Sequence, residues 1–127
     1  MKAYHASNAL FTSFDSNYIE TMPGLWFTED TDYALEYGGY LYEAELNINH
    51  PLDLDGEEGT AVVHEFLKAH PKEKALTTKL FRNYLLRHKY DAMQWSRYGK
   101  LTVVVLDEEK IKIVKYPAEM YVENTVA

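Results

Sequence analysis

Between residues 40 and 48 apolar and polar positions alternate. Tyr40, Tyr42, Ala44, Leu46 and Ile48 point one way, and Leu41, Glu43, Glu45 and Asn47 the other. A period of two marks a strand with one buried face. Asn49-His50-Pro51 ends it, because proline restricts the residue before it and has no N–H for a ladder. Residues 101–106 instead form an unbroken apolar run rich in valine, which predicts a central strand covered on both faces. Residues 111–116 alternate again, after Asp107-Glu108-Glu109-Lys110 turns the chain. Shorter strands are expected at residues 1–5, 25–28 and 90–95, with a brief extended piece at 52–56 running into a turn at Gly56.

Three stretches carry helical spacing. Thr28, Glu29 and Asp30 supply a capping oxygen and early acidic charge, and Gly38-Gly39 supplies a stop, so a helix of about two turns lies between them. Tyr33, Ala34 and Tyr37 share one face of it. Val62, Val63, Phe66 and Leu67 mark a second helix over residues 60–69, which Pro71 ends. A third, over 75–88, puts Leu76, Leu80, Phe81, Tyr84 and Leu85 on one side. Lys74, Lys79, Arg82 and Arg87 fall elsewhere and read as a solvated face. Residues 8–23 show no sustained period, and are expected to form a loop or broken helix anchored by Phe11 and Phe14, with Tyr18 a further scattered aromatic. After Pro117 a short tail is expected to fray. Strand, strand, helix, strand, two helices and three strands make a mixed α+β domain, helices packed on a largely antiparallel sheet.

Composition narrows the function classes. A chain of 127 residues, 46% apolar and 14% aromatic with eleven tyrosines, fits one globular domain over residues 1–127. A formal net charge of −7 argues against sequence-independent binding to nucleic acid, which needs cations to neutralise phosphates. Without cysteine there is no disulfide, thiolate nucleophile or cysteine-ligated zinc, as suits the cytosol. No run approaches the ~18 apolar residues of a membrane span. No apolar core of a secretion signal opens the chain, so a soluble protein in the cytoplasm of a bacterium or infected host cell is expected. His64, His70 and His88 lack metal-ligand spacing, no nucleophile elbow or phosphate loop is present, and no metal is expected.

The segments Tyr4-His5-Ala6-Ser7, Gly24-Leu25-Trp26-Phe27-Thr28, Tyr33-Ala34 with Tyr37-Gly38, and residues 43–54 stand in an order that resembles the ADP-ribosyltransferase superfamily. The likeness is to the small domains of phage polyvalent proteins and related bacterial effectors, in the branch marked by a histidine, an aromatic pair and a late glutamate. It implies two small packed sheets with a cleft between them, and NAD+ as substrate. By this resemblance the backbone of Ala6 meets the nicotinamide carboxamide, a position where a small side chain leaves the backbone approachable. His5 bonds ribose hydroxyls with help from Ser7. Trp26 and Tyr37 sandwich the ring, with Phe27 and Tyr33 beside them, and Trp26 stands where tyrosine is more usual.

Cleavage of the nicotinamide–ribose bond passes through an oxocarbenium-like transition state that a carboxylate stabilises. The resemblance locates this glutamate near residues 90–96, two after a glutamine, and here Gln94 is followed by Ser96. His5, Gln94 and Ser96 are therefore the candidate catalytic residues. Three possibilities stay open: an acid from elsewhere, with Asp91 nearest although usually structural in the resemblance; ribose binding by Gln94 with weaker catalysis; or binding without turnover. The implied activity is ADP-ribose transfer to a macromolecule, more readily a protein than a nucleic acid. The alternative is a degenerate domain that binds or inhibits a partner.

Overall fold

The computed structural model describes residues 1–14, 25–73 and 79–122. Tyr18, Pro23 and Gly24 of the expected loop, and Lys74, Ala75 and Leu76 at the start of the third expected helix, lie outside the described residues. Within them the chain runs β1 (Lys2–Ser7), β2 (Leu25–Thr28), α1 (Thr31–Leu35), β3 (Tyr40–Leu46), β4 (Pro51–Asp53), α2 (Glu57–Ala69), α3 (Lys79–Arg87), β5 (Ala92–Arg97), β6 (Lys100–Val105), β7 (Ile111–Lys115) and α4 (Ala118–Val122). A 3₁₀ turn over Glu108–Lys110 leads into β7.

The strands join in the order β4-β5-β6-β2-β1-β3-β7, antiparallel except for the parallel β4–β5 pair. The expectation is thus met for an α+β domain with largely antiparallel pairing. Its two sheets are two halves of one sheet, since β1 and β2 pair at a single register, Tyr4 with Thr28. One buried cluster draws on both halves: Ala3, Ala44 and Leu46 from one, Leu25, Phe27, Ala92, Val103 and Val105 from the other. A second cluster, with Leu52, Phe66, Phe81, Leu85, Met93 and Val104, lies where α2 and α3 pack on the far half. Val103 and Val104 fall in different clusters, so β6 is buried on both faces, as its valine run predicts.

Several boundaries differ from the sequence pattern for identifiable reasons. α2 starts at Glu57 rather than near 60: Gly56 is its N-cap, and Glu57 and Glu58 put negative charge at the positive helix end. Gly59 lets this helix lie close to β4, where a Cβ would stand 2.0 Å from the Asp53 carbonyl oxygen. In α3, Phe81 and Leu85 are buried while Leu80, expected beside them, is exposed. The tail expected to fray begins instead with α4. Residues 8–14 bend across the sheet, with Phe11 stacked on buried Tyr42 at 4.2 Å, so the expected aromatic anchors are in place. The Tyr42 hydroxyl donates to the Ala9 carbonyl at 3.1 Å and accepts from the Phe11 N–H at 2.9 Å, fixing both sides of that bend. Among the described residues no helix is long and apolar enough to cross a membrane.

Candidate functional site

His5 sits where the sheet comes apart. β1 pairs with β3 at six registers but with β2 only at Tyr4–Thr28. Continuing that register would set Ala6 opposite Trp26; instead the imidazole of His5 enters, and its Nδ1 lies 2.9 Å from the Trp26 carbonyl oxygen. A carbonyl only accepts, so Nδ1 carries the proton. The ring is packed among Trp26 at 4.6 Å, Phe14 at 5.1 Å, Phe27 at 5.7 Å, and Phe11 and Tyr42 at 6.2 Å. Burial pushes its pKa below the ordinary histidine value, with the Trp26 carbonyl working in the other direction. A neutral imidazole protonated on Nδ1 leaves the Nε2 lone pair as an acceptor, suited to a hydroxyl.

The other residues of the N-terminal motif fall into place around it. Ala6 is buried next to the opening, 2% exposed. The Ser7 hydroxyl accepts from the Ala9 N–H at 3.1 Å, which turns the chain away from β1. Phe27 is fully buried and backs the His5 ring from below.

Trp26 and Tyr37 meet directly, their ring centroids 4.9 Å apart and inclined at 57°. Tyr33 lies edge-on to Tyr37 at 5.7 Å, the two hydroxyls 3.3 Å apart. A flat ligand ring enters between Trp26 and Tyr37 only if one of them swings aside. Tyr37, 53% exposed just past the end of α1, is the freer of the two. Two features hold α1 in place. Asp30 caps it, and its hydrogen bond with the Lys100 ammonium, then that from the Tyr33 N–H at 2.8 Å, keep the Asp30 carboxyl below its usual range. Gly38 then meets β1: a Cβ there would stand 2.4 Å from the Ser7 carbonyl carbon.

The sheet does not set Gln94 and Ser96 beside His5. Gln94 pairs with Val103 on β6, Val103 pairs with Phe27 on β2, and β1 is the next strand. Three inter-strand steps of about 4.8 Å place the Gln94 and His5 backbones roughly 14 Å apart along the sheet. Gln94 is half-buried and its carbonyl accepts from the Leu54 N–H, while Ser96 is exposed and its N–H donates to Asp55 at 2.7 Å. Asp91, the other carboxylate considered, is structural. It is buried and accepts from the Asn49 N–H at 2.7 Å and the His50 N–H at 3.0 Å, tying the entry to β4 to the start of β5. His64 and His88 are exposed, and His70 lies on Phe66 at 4.8 Å. Among the described residues no group of histidine and carboxylate side chains could hold a metal.

Sequence reasoning left out two contributors: Tyr42 and the Asp30–Lys100 pair. Tyr42 was legible only as an inward position of an alternating strand. The pair depends on a hairpin tip meeting a helix far away in sequence.

This geometry can be set beside known proteins. One solved structure, described as the crystal structure of an anti-CRISPR protein, superposes with a TM-score of 0.59 at 13% identity, covering 90% of this chain and 95% of that one. At that identity the likeness is one of fold. No curated protein matches the sequence. The family described as ADP-ribosyltransferase in polyvalent proteins matches residues 1–117. The match takes in the opened β1–β2 joint, the aromatic pair and every strand of the sheet, and the chain belongs to this family of ADP-ribosyltransferases in polyvalent proteins.

Proposed function

We propose that the opening between β1 and β2 takes NAD+ and that the domain transfers ADP-ribose to a protein. The observation that carries this is the His5 ring, held as its Nδ1–H form by the Trp26 carbonyl at the point where the ladder stops. Nε2 then accepts from a ribose hydroxyl. The Ala6 backbone serves the nicotinamide carboxamide, with Ser7 at its side. Tyr37 swings out and closes over the ring against Trp26, and Tyr33 follows it through the hydroxyl contact. In the transfer, the bond from ribose C1′ to the nicotinamide nitrogen breaks and nicotinamide leaves with the bonding electrons. An electron pair from the acceptor side chain forms the new bond to C1′, and the acceptor proton passes to solvent. Family membership supports NAD+ as the substrate, and the acidic chain favours a protein acceptor over a nucleic acid. A phage or bacterial effector acting on host machinery in the cytoplasm is the setting that fits such an activity.

The test is a titration of NAD+ into wild type and His5→Ala, followed by Trp26 and Trp95 fluorescence and by calorimetry, with nicotinamide release measured in parallel. Saturable binding that His5→Ala abolishes is the expected result. No binding at millimolar NAD+ would refute it.

A second reading is favoured by Ser96, which stands two residues after Gln94 where the resemblance wants a glutamate. In it the domain is a binding or inhibitor protein of anti-defence type, in keeping with the name of its structural neighbour. A stable stoichiometric complex with a partner, and no mass change on either protein with NAD+ present, would decide for this reading.

A further inference from the structure

We propose that Arg97, at the tip of the β5–β6 hairpin, anchors the diphosphate of NAD+, an assignment that rests on the NAD+ reading above and extends it. The hairpin is built to hold an arginine at this spot. Arg97 pairs across the sheet with Lys100, and Tyr98 and Gly99 close the turn with φ of 55° and 74°. A two-residue turn with both central residues left-handed matches the twist of the flanking strands, so the tip is a short, well-determined connection. Lys100 is in turn paired with Asp30, the N-cap of α1. The tip is therefore clamped against the helix that leads into Tyr37.

Alternation along the strands puts Arg97 on the same sheet face as Trp26. Trp26 pairs with Val104 and Val104 with Met93, and Met93, Trp95 and Arg97 are successive same-face positions of β5. The charge of Arg97 reaches the Tyr37 hydroxyl, where it opposes the upward pKa shift set first by the hydrogen bond with Tyr33 and then by burial. Arg97 is exposed and among the described residues forms no ion pair, whereas its neighbour Lys100 is committed to Asp30. In a chain of net charge −7, an arginine with no ion pair among the described residues, on the sheet face of half-buried Trp26 and within electrostatic reach of exposed Tyr37, is available to an anion.

The chemistry of the ligand fits this spacing. With nicotinamide at Trp26 and Tyr37 and its ribose at His5, the diphosphate begins one methylene beyond the ribose, on the rim of the aromatic pair. A planar guanidinium donates two parallel N–H bonds to phosphate oxygens, which a lysine ammonium does not.

The experiment compares wild type, Arg97→Gln and Arg97→Lys by calorimetry with two probes, NAD+ and nicotinamide riboside, which ends before the diphosphate. Arg97→Gln is expected to weaken NAD+ about tenfold or more and to leave nicotinamide riboside unchanged, with Arg97→Lys between the two. NAD+ binding in wild type should also fall with salt more steeply than in Arg97→Gln. Equal NAD+ affinity in wild type and Arg97→Gln overturns this assignment and leaves the NAD+ reading standing. Equal loss for both probes also overturns it, since the residue would then act on the fold of the pocket. Failure of wild type to bind NAD+ overturns both.

Discussion

Gly38 offers a direct test of how the fold places Tyr37. A Cβ at Gly38 would lie 2.4 Å from the Ser7 carbonyl carbon, 2.6 Å from its oxygen and 2.7 Å from its Cα. All three are backbone atoms of β1, which is held to β3 from Lys2 to Ser7 and cannot yield as a flexible side chain would. In Gly38→Ala the end of α1 must therefore lift from the strand, and overpacking of this kind costs about 1–3 kcal/mol. Immovable neighbours place the change in the upper half of that range. Gly39 is the internal control: nothing lies within 4 Å of its Cβ position and its φ is not left-handed. Gly39→Ala should be neutral or stabilising by about 0.4–1 kcal/mol, through a less disordered unfolded chain. Urea unfolding of the two variants measures the difference, and NAD+ titration measures its effect on the site. Gly38→Ala should lose stability and at least tenfold in affinity together, because Tyr37 moves with the helix end. If the two alanine variants unfold at the same urea concentration, the claim that α1 is seated by contact with Ser7 is wrong.

The half-buried His5 sets a pH dependence. Its folded pKa is depressed, so as pH falls below about 6.5 the unfolded chain takes a proton that the folded chain refuses, and stability drops, by at most about 1.4 kcal/mol per pH unit. Urea unfolding of wild type and His5→Gln from pH 7.5 to 4.5, a range of roughly three units about the histidine value, should show a steeper acid loss in wild type. Tyr90 donates to Glu58 at 2.5 Å, and that hydrogen bond, then burial, holds its pKa up at about 12. Stability tied to Tyr90 is complete below about pH 10 and lost as pH rises toward 12, and Tyr90→Phe should remove the late step from an ultraviolet titration of the tyrosines. Asp91→Ala strips the acceptor from two backbone donors and should cost about 2–4 kcal/mol in urea unfolding while leaving NAD+ affinity unchanged. Tyr98, 89% exposed at a left-handed φ, should gain about 0.5–1 kcal/mol on replacement by Asn, and an unchanged melting temperature would contradict that.

Local chemistry was readable because it needs few neighbours. The alternation at residues 40–48 put Tyr42, Ala44 and Leu46 inward, and they are buried. The valine run of β6 announced a strand covered twice, and Asp30 announced the start of α1. The order His5, Trp26, Tyr37 was enough for the resemblance to bring these residues into one expected site, and Trp26 touches both of the others. The sequence could not show that Trp26 and Tyr37 rest against each other, because the gap between two rings is set by how a helix end seats on a strand. It could not show that β4 runs parallel to β5, since strand direction in a sheet is decided by the path of α2 and α3 between them. Nor could it show that Gln94 lies three strands from His5, because strand order is not sequence order. Period, caps and turns are properties of a few adjacent residues and survive in the text of the chain. The opened joint at Tyr4–Thr28, the proton fixed on His5 Nδ1, and the placing of Arg97 on the same sheet face as Trp26 arise from pairings distant in sequence, and only the packed sheet decides them.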